Sequence, residues 1–243
     1  MTVVVYRDAE LLAAATAARL VTALADAQAA RGTASVVLTG GRTGTAVLSA
    51  VRTAPARDTV DWSRVDFYWG DERFLPAGDP ERNETQARSA LLDHVPASRV
   101  HPMAPSDGEF GDNPEAAAEA YAALLPATFD VCLLGVGEEG HTASIFPDSP
   151  AVHETARTVV AVHDCPKPPP TRVSLTLPTI RRAAAVWLMT TGEAKAAAVA
   201  SALNGAPEVD LPAAGARGTS ETRWLLDTTA AANLPAEASR AEG

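Results

Sequence analysis

Short apolar runs alternate with longer alanine-rich or polar stretches along almost the whole chain. Val3–Tyr6 is β-branched and predicts a first strand. Asp8 stands at the N-cap of the alanine- and leucine-rich stretch Ala9–Ala30, and Gly32 follows its end, which is the punctuation of a long helix. Ser35–Thr39 predicts a second strand that runs directly into GGRTGT, with a helix over Ala46–Val51. Val65–Trp69 predicts a third strand leading into GDERFLP, followed by a helix over Glu84–Leu92. Asn113 caps a further helix, with Pro114 at its first position and Leu125 at its end. Asp130–Leu134 predicts a wholly apolar strand entering GVGEEGH. Thr158–Val162, Val173–Leu177, Ala185–Thr190 and Arg223–Asp227 predict the remaining strands, and Gly192–Leu203 another helix. CPKPPP at 165–170 reads as a stiff loop. The small, polar tail from Ala230 is expected to fray.

Strands alternate with helices, and several strands are continuous apolar runs. That is the pattern of a parallel sheet covered on both faces. The expected fold class is therefore α/β: a single-domain, Rossmann-like, mostly parallel sheet with helices on both faces. Residues 1–229 form the expected catalytic domain, and 230–243 its tail. A length of 243 residues with 47% hydrophobic and 21% charged residues fits one globular domain.

Twenty basic residues against thirty acidic ones leave a net charge of −10. This argues against a nucleic-acid partner, which requires a basic face. Only two of the basic residues are lysines, Lys167 and Lys195. Coding bias of a GC-rich genome accounts for the arginine excess, and it makes the two lysines stand out. Cys132 and Cys165 have no CxxC partner and are too few for a disulfide framework. The first residues lack a secretory pattern, and no apolar run approaches ~18 residues. The expectation is a soluble cytoplasmic protein with no membrane partner, and a monomer by default.

In open parallel α/β sheets, ligands bind beyond the carboxyl ends of the strands. Four segments place polar or glycine-rich residues there. In the first, Gly40, Gly41, Arg42 and Thr43 form a turn before a helix, where backbone N–H groups favour an anion such as phosphate. It is neither GxGxxG nor a Walker A loop, so NAD and ATP are not supported. The second, Asp71-Glu72-Arg73, follows an aromatic strand; Arg73 can fork onto a phosphate or carboxylate, while Asp71 and Glu72 orient it or handle protons. In the third, Gly137, Glu138, Glu139 and Gly140 precede His141. The glycines allow close approach of substrate, and a carboxylate can fix the imidazole tautomer. The fourth comprises Arg172 and Lys195, which with Arg73 can neutralise a phosphate dianion. The other histidines lack such a setting, and no metal-ligand spacing occurs among them.

Taken in order, these segments resemble the 6-phosphogluconolactonase family, a branch of the glucosamine-6-phosphate deaminase superfamily. The family pattern reads SGGSTP, WGDER with a downstream SN, LLGxGxDGHTASLFP, RITLTxP and GxxKA. The chain has TGGRTG, WGDERFLP with Arg82-Asn83, LLGVGEEGHTASIFP, RVSLTLP and GEAKA. Arg42 stands where serine is common, Gly44 where proline is common, and Glu139 where aspartate is usual. The added methylene moves the Glu139 carboxylate by about one C–C bond, ~1.5 Å.

The resemblance implies hydrolysis of 6-phospho-D-glucono-1,5-lactone in the oxidative pentose phosphate pathway, with no metal or other cofactor. His141 would activate water, and Arg73 or backbone N–H groups would stabilise the oxyanion. Glu139 and Asp71 complete the catalytic group. Gly40, Gly41, Arg42, Thr43, Asn83, Gly137, Arg172 and Lys195 would hold the sugar phosphate. Two alternatives are a glucosamine-6-phosphate deaminase or aldose–ketose isomerase, and a non-catalytic sugar-phosphate sensor. The HTASIFP continuation differs from the HIAF type usual in deaminases, and no helix-turn-helix accompanies the domain.

Overall fold

The computed structural model describes residues 1–235. Apolar runs pair side by side into a seven-stranded sheet in which every pairing is parallel. In chain order the elements begin with β1 (Thr2–Tyr6), α1 (Ala9–Arg31), β2 (Ala34–Leu38), α2 (Gly41–Thr53), β3 (Val65–Trp69) and β4 (Asp71–Arg73). Then come α3 (Asn83–Ala90), β5 (Arg99–Val100), α4 (Pro114–Leu124), β6 (Phe129–Gly135), β7 (Val159–Val162) and β8 (Arg172–Leu175). The chain continues with α5 (Leu177–Ile180), β9 (Ala183–Thr190), α6 (Ala196–Leu203), α7 (Pro212–Gly215) and β10 (Glu221–Asp227). The large sheet has the order β1-β10-β9-β6-β2-β3-β5.

Local chemistry sets the element ends. The Asp8 carboxylate accepts the Leu11 N–H at 2.8 Å and caps α1. Gly32, at φ 81°, closes it in the left-handed conformation, donating its N–H to Gln28 O. Consecutive residues of β6, Val131 to Leu134, are all buried. Successive strand side chains point to opposite faces, so the sheet is covered on both.

The strand order fixes where a ligand can enter. From β2 the chain runs to β3 and β5 on one side; from β6 it runs to β9 and β10 on the other. β2 and β6 are neighbours, so the glycine-rich loops that follow them diverge at a topological switch point. That crevice is the ligand position of open α/β sheets.

Several details differ from the sequence reading. Asp71–Arg73, read as a loop, is strand β4 of a separate three-stranded antiparallel sheet, β4-β8-β7. β7 and β8, both expected as strands, belong to this second sheet and not to the main one. The helix expected from Ala46 already starts at Gly41, whose φ of 77° lets the chain turn sharply out of β2 into it. The strand expected to reach Leu177 ends at Leu175, and Leu177 opens α5. The helix expected from Gly192 begins as a 3-10 turn over Glu193–Lys195 before α6. The tail does not fray at Ala230. Ala230 and Ala231 are buried, and Asp227 accepts the Ala230 N–H at 2.7 Å. The rest of the predicted tail, 236–243, lies outside the described residues.

Candidate active site

The turn after β2 is tight because only glycine fits at two places. A Cβ at Gly40 would lie 1.8 Å from Asn83 Oδ1, and one at Gly44 would lie 2.3 Å from the Thr39 carbonyl. The first-turn amides of α2 have no intrahelical partners and carry the positive end of the helix dipole. No acidic residue occupies that turn. Thr43 Oγ1 and Thr191 Oγ1, 3.1 Å apart, link this turn to the loop after β9. Asp227 holds that second loop by accepting the Gly192 N–H.

Lys195 faces the α2 turn from the loop after β9. Among the described residues, neither its ammonium nor the Arg42 guanidinium has a hydrogen-bond or carboxylate partner. Burial pulls the Lys195 pKa below the usual lysine value, with Lys167 and Arg42 as further repelling cations and Glu138 and Glu139 opposing them. Unpaired cations beside a helix N-terminus suit a dianion.

His141 sits across the crevice, at the end of the loop after β6. Its ring stacks on Phe146, with centroids 4.5 Å apart, and its Nδ1–Cε1 edge lies against Gly137. A Cβ at 137 would be 1.9 Å from His141 Nδ1. Glu139 Oε1 lies 3.0 Å from Nδ1, an ion-pair distance, although the ring N–H is not aligned for a hydrogen bond. Glu139 Oε2 accepts from Lys167 Nζ at 2.9 Å. Burial lowers the His141 pKa below the ordinary histidine value; Lys167 adds to that, and Glu139 and Asp71 oppose it. The ring is therefore neutral at pH 7 and able to accept a proton. Burial raises the Glu139 pKa, but a backbone amide, Lys167 and His141 outweigh it and hold the group below the usual range.

The third wall comes from the small sheet. Asp71 accepts Ser144 Oγ–H at 2.6 Å and Asn83 Nδ2–H at 3.3 Å. Asn83 Nδ2 also donates to the Asp71 carbonyl at 2.8 Å. Buried Arg172 lies 3.9 Å from Asp71 and donates to the carbonyls of Lys167, Pro168 and Pro169. Arg73 is half-buried and donates to the Glu81 carbonyl. Glu72 points away and accepts the N–H groups of Arg73, Asn83 and Glu84 at 2.7–2.8 Å, so it caps α3. Burial pushes the Glu72 carboxyl up to about 7, against the buried Arg82 guanidinium 3.7 Å away.

These walls enclose a cavity of about 300 Å³. It is lined by Gly40, Gly41, Arg42, Thr43, Asp71, Arg73, Asn83, Gly137, His141, Arg172 and Lys195. Of the charged residues that the sequence offered for the site, Glu72 and Glu139 do not line it: Glu72 turns away to cap α3, and Glu139 stands behind His141. The sequence alone gave neither Lys167 nor Ser144 a place in the site. Lys167 had a signal, being one of two lysines in an arginine-biased chain. Ser144 stands in HTASIFP, but its role rests on a contact with Asp71, 73 residues away. A larger cavity, about 690 Å³, opens along α1 near the N-terminal ends of β6, β9 and β10. Its Arg31 and Arg223 are paired with Asp130 and Glu221, and it holds none of the predicted residues.

The sequence model of the family described as glucosamine-6-phosphate isomerases/6-phosphogluconolactonase matches residues 7–224. The chain belongs to this family. It is 60% identical to the 6-phosphogluconolactonase of Streptomyces coelicolor, over 96% of this chain and 94% of the relative. It is 53% identical to that of Mycobacterium tuberculosis, over 95% and 97%. Among solved family structures, the 6-phosphogluconolactonase of Trypanosoma brucei superposes with a TM-score of 0.84 at 30% identity, covering 96% of this chain and 98% of that one. A monomeric glucosamine-6-phosphate deaminase superposes at 0.81 with 20% identity, over 96% and 99%, a likeness of fold.

Proposed function

We propose that the protein hydrolyses 6-phospho-D-glucono-1,5-lactone to 6-phospho-D-gluconate, the lactone-opening step of the oxidative pentose phosphate pathway. One observation carries this reading: a neutral, half-buried His141 backed by a carboxylate shares a cavity with the unpaired cations Arg42 and Lys195. The full-length similarity to 6-phosphogluconolactonases supports it. The α2 turn, Arg42, Thr43 and Lys195 hold the phosphate, and the lactone ring extends toward His141.

In this mechanism His141 Nε2 takes a proton from water as the oxygen attacks C1. The carbonyl electrons move onto oxygen, and Arg73 or the loop amides stabilise that charge. The alkoxide collapses, the C1–O5 bond breaks, and O5 takes the proton from His141. The carboxylic acid product then ionises. Asp71 keeps Ser144, Asn83 and Arg172 in place, and Arg172 holds the 167–169 backbone.

The test is the loss of lactone generated in situ, measured above its spontaneous rate. Acceleration is expected with 6-phosphogluconolactone, and no ammonia release from glucosamine 6-phosphate. The opposite pattern would replace the lactonase reading with a deaminase one.

A further inference from the structure

The 165–170 segment contributes one side chain to the site whose role the reaction above does not use. Arg172 fixes the backbone here: its Nε and Nη2 bond the carbonyls of Pro169, Pro168 and Lys167 at 3.0–3.2 Å. Cys165 N donates to Pro170 O at 2.9 Å and closes the loop at its base. The same guanidinium lies beside Asp71 and Ser144, so the loop is tied to the wall that faces His141. From this fixed backbone Lys167 reaches Glu139 Oε2, while Oε1 faces His141 Nδ1. One carboxylate thus bridges a lysine and the imidazole. One of the three positions where the chain departs from the family pattern, glutamate in place of aspartate, is the bridging residue itself.

We propose that Lys167 is a positioning residue: through Glu139 it holds the proton on Nδ1 of His141, leaves Nε2 as the acceptor, and sets the basicity of the ring. The inference rests on His141 being the base of the proposed reaction. A carboxylate pulled only toward His141 favours the imidazolium and blunts the base. A carboxylate shared with Lys167 still favours, by its charge 3.0 Å away, a proton on the near nitrogen Nδ1, while part of that charge is neutralised. The charged groups facing the imidazole are Glu139 from its own loop, Lys167 from the 165–170 segment, and Asp71 from β4. Lys167 is the only cation among the three. Its removal therefore raises the affinity of the ring for a proton.

The experiment compares wild type with Lys167→Met, Lys167→Arg and Glu139→Gln. It measures the acid limb of kcat/KM and, separately, the ¹⁵N histidine titration of the intact protein. Lys167→Met is expected to move the acid limb and the His141 titration upward together by about half to one pH unit. Its neutral ring should show a mixture of tautomers. Lys167→Arg keeps the charge and restores both, and Glu139→Gln moves both downward. The Lys167 side chain is 44% exposed, so these substitutions leave the core intact. An unmoved limb and titration in Lys167→Met, with only KM raised, would overturn the proposal and make Lys167 a plain substrate cation. Failure of the base assignment reads differently. His141→Ala would then keep its kcat, while the ¹⁵N titration would still report the coupling of Lys167 to His141.

Discussion

Gly137→Ala adds a single methyl group, and its consequence can be worked from the geometry. The new Cβ would lie 1.9 Å from His141 Nδ1, 2.1 Å from Cε1 and 2.9 Å from Cγ. Carbon contacts relax at ~3.5 Å, so the ring must retreat by about 1.6 Å. Phe146, buried and stacked 4.5 Å away, restricts how the ring can move. The backbone is not the obstacle, because Gly137 is not among the positive-φ glycines. Overpacking of this kind costs about 1–3 kcal/mol, which a domain of this size can survive. Misplacing a catalytic group by ~1 Å costs about 10²-fold in rate, and complete loss of a general base ~10²–10⁴-fold. The expected result is a folded protein whose kcat for the lactone falls about 10²–10³-fold, with KM close to wild type, because the cations at Arg42 and Lys195 are untouched. The assay is steady-state hydrolysis of lactone generated in situ, with circular dichroism as the check on folding. A folded Gly137→Ala variant with wild-type kcat would refute the seating of His141 and its role as base.

Lys195→Ala removes an unpaired cation from the cavity; KM for the lactone should rise about 10-fold or more, with a smaller change in kcat, consistent with one charge-assisted hydrogen bond. Unchanged KM would remove Lys195 from the phosphate site. Arg82→Met leaves the buried Glu72 carboxylate without its cation, and should cost about 3–5 kcal/mol in denaturant unfolding; a loss below ~1 kcal/mol would show that the α3 cap does not depend on the pair. The neutral form of His141 is the active one and its pKa is lowered by burial, so kcat/KM should rise with pH and level off with its midpoint below 6.5, the ordinary histidine value. A midpoint above 6.5 would contradict the desolvated ring. Addition of EDTA should leave the rate unchanged, as measured with the same assay.

The parts of this molecule that were legible in the sequence are those written in local periodicity. Val65–Trp69 was read with its observed bounds, and Asp8 and Gly32 marked the ends of α1 because cap chemistry is a matter of neighbouring residues. The glycine-rich loops were legible for a similar reason, since Gly40, Gly44 and Gly137 stand where a Cβ would collide. The second sheet was not. Asp71-Glu72-Arg73 carries no strand periodicity and pairs with Arg172–Ser174, about a hundred residues later. Glu72 is offered to the site by its neighbours in sequence; only its contacts with the N–H groups of Asn83 and Glu84 make it a helix cap. The start of the tail was not legible, because alanine composition does not reveal that Ala230 and Ala231 are buried. In each case the missing information lay in long-range pairing, which the order of residues does not display.

The central claim is that His141 activates water on a sugar-phosphate lactone. The most direct test compares wild type and His141→Ala on 6-phosphogluconolactone, with 6-phosphogluconate binding measured by calorimetry on both. The account predicts that kcat falls at least ~10²-fold in His141→Ala, while product still binds through Arg42, Lys195 and the α2 turn. A near wild-type kcat in His141→Ala would contradict it.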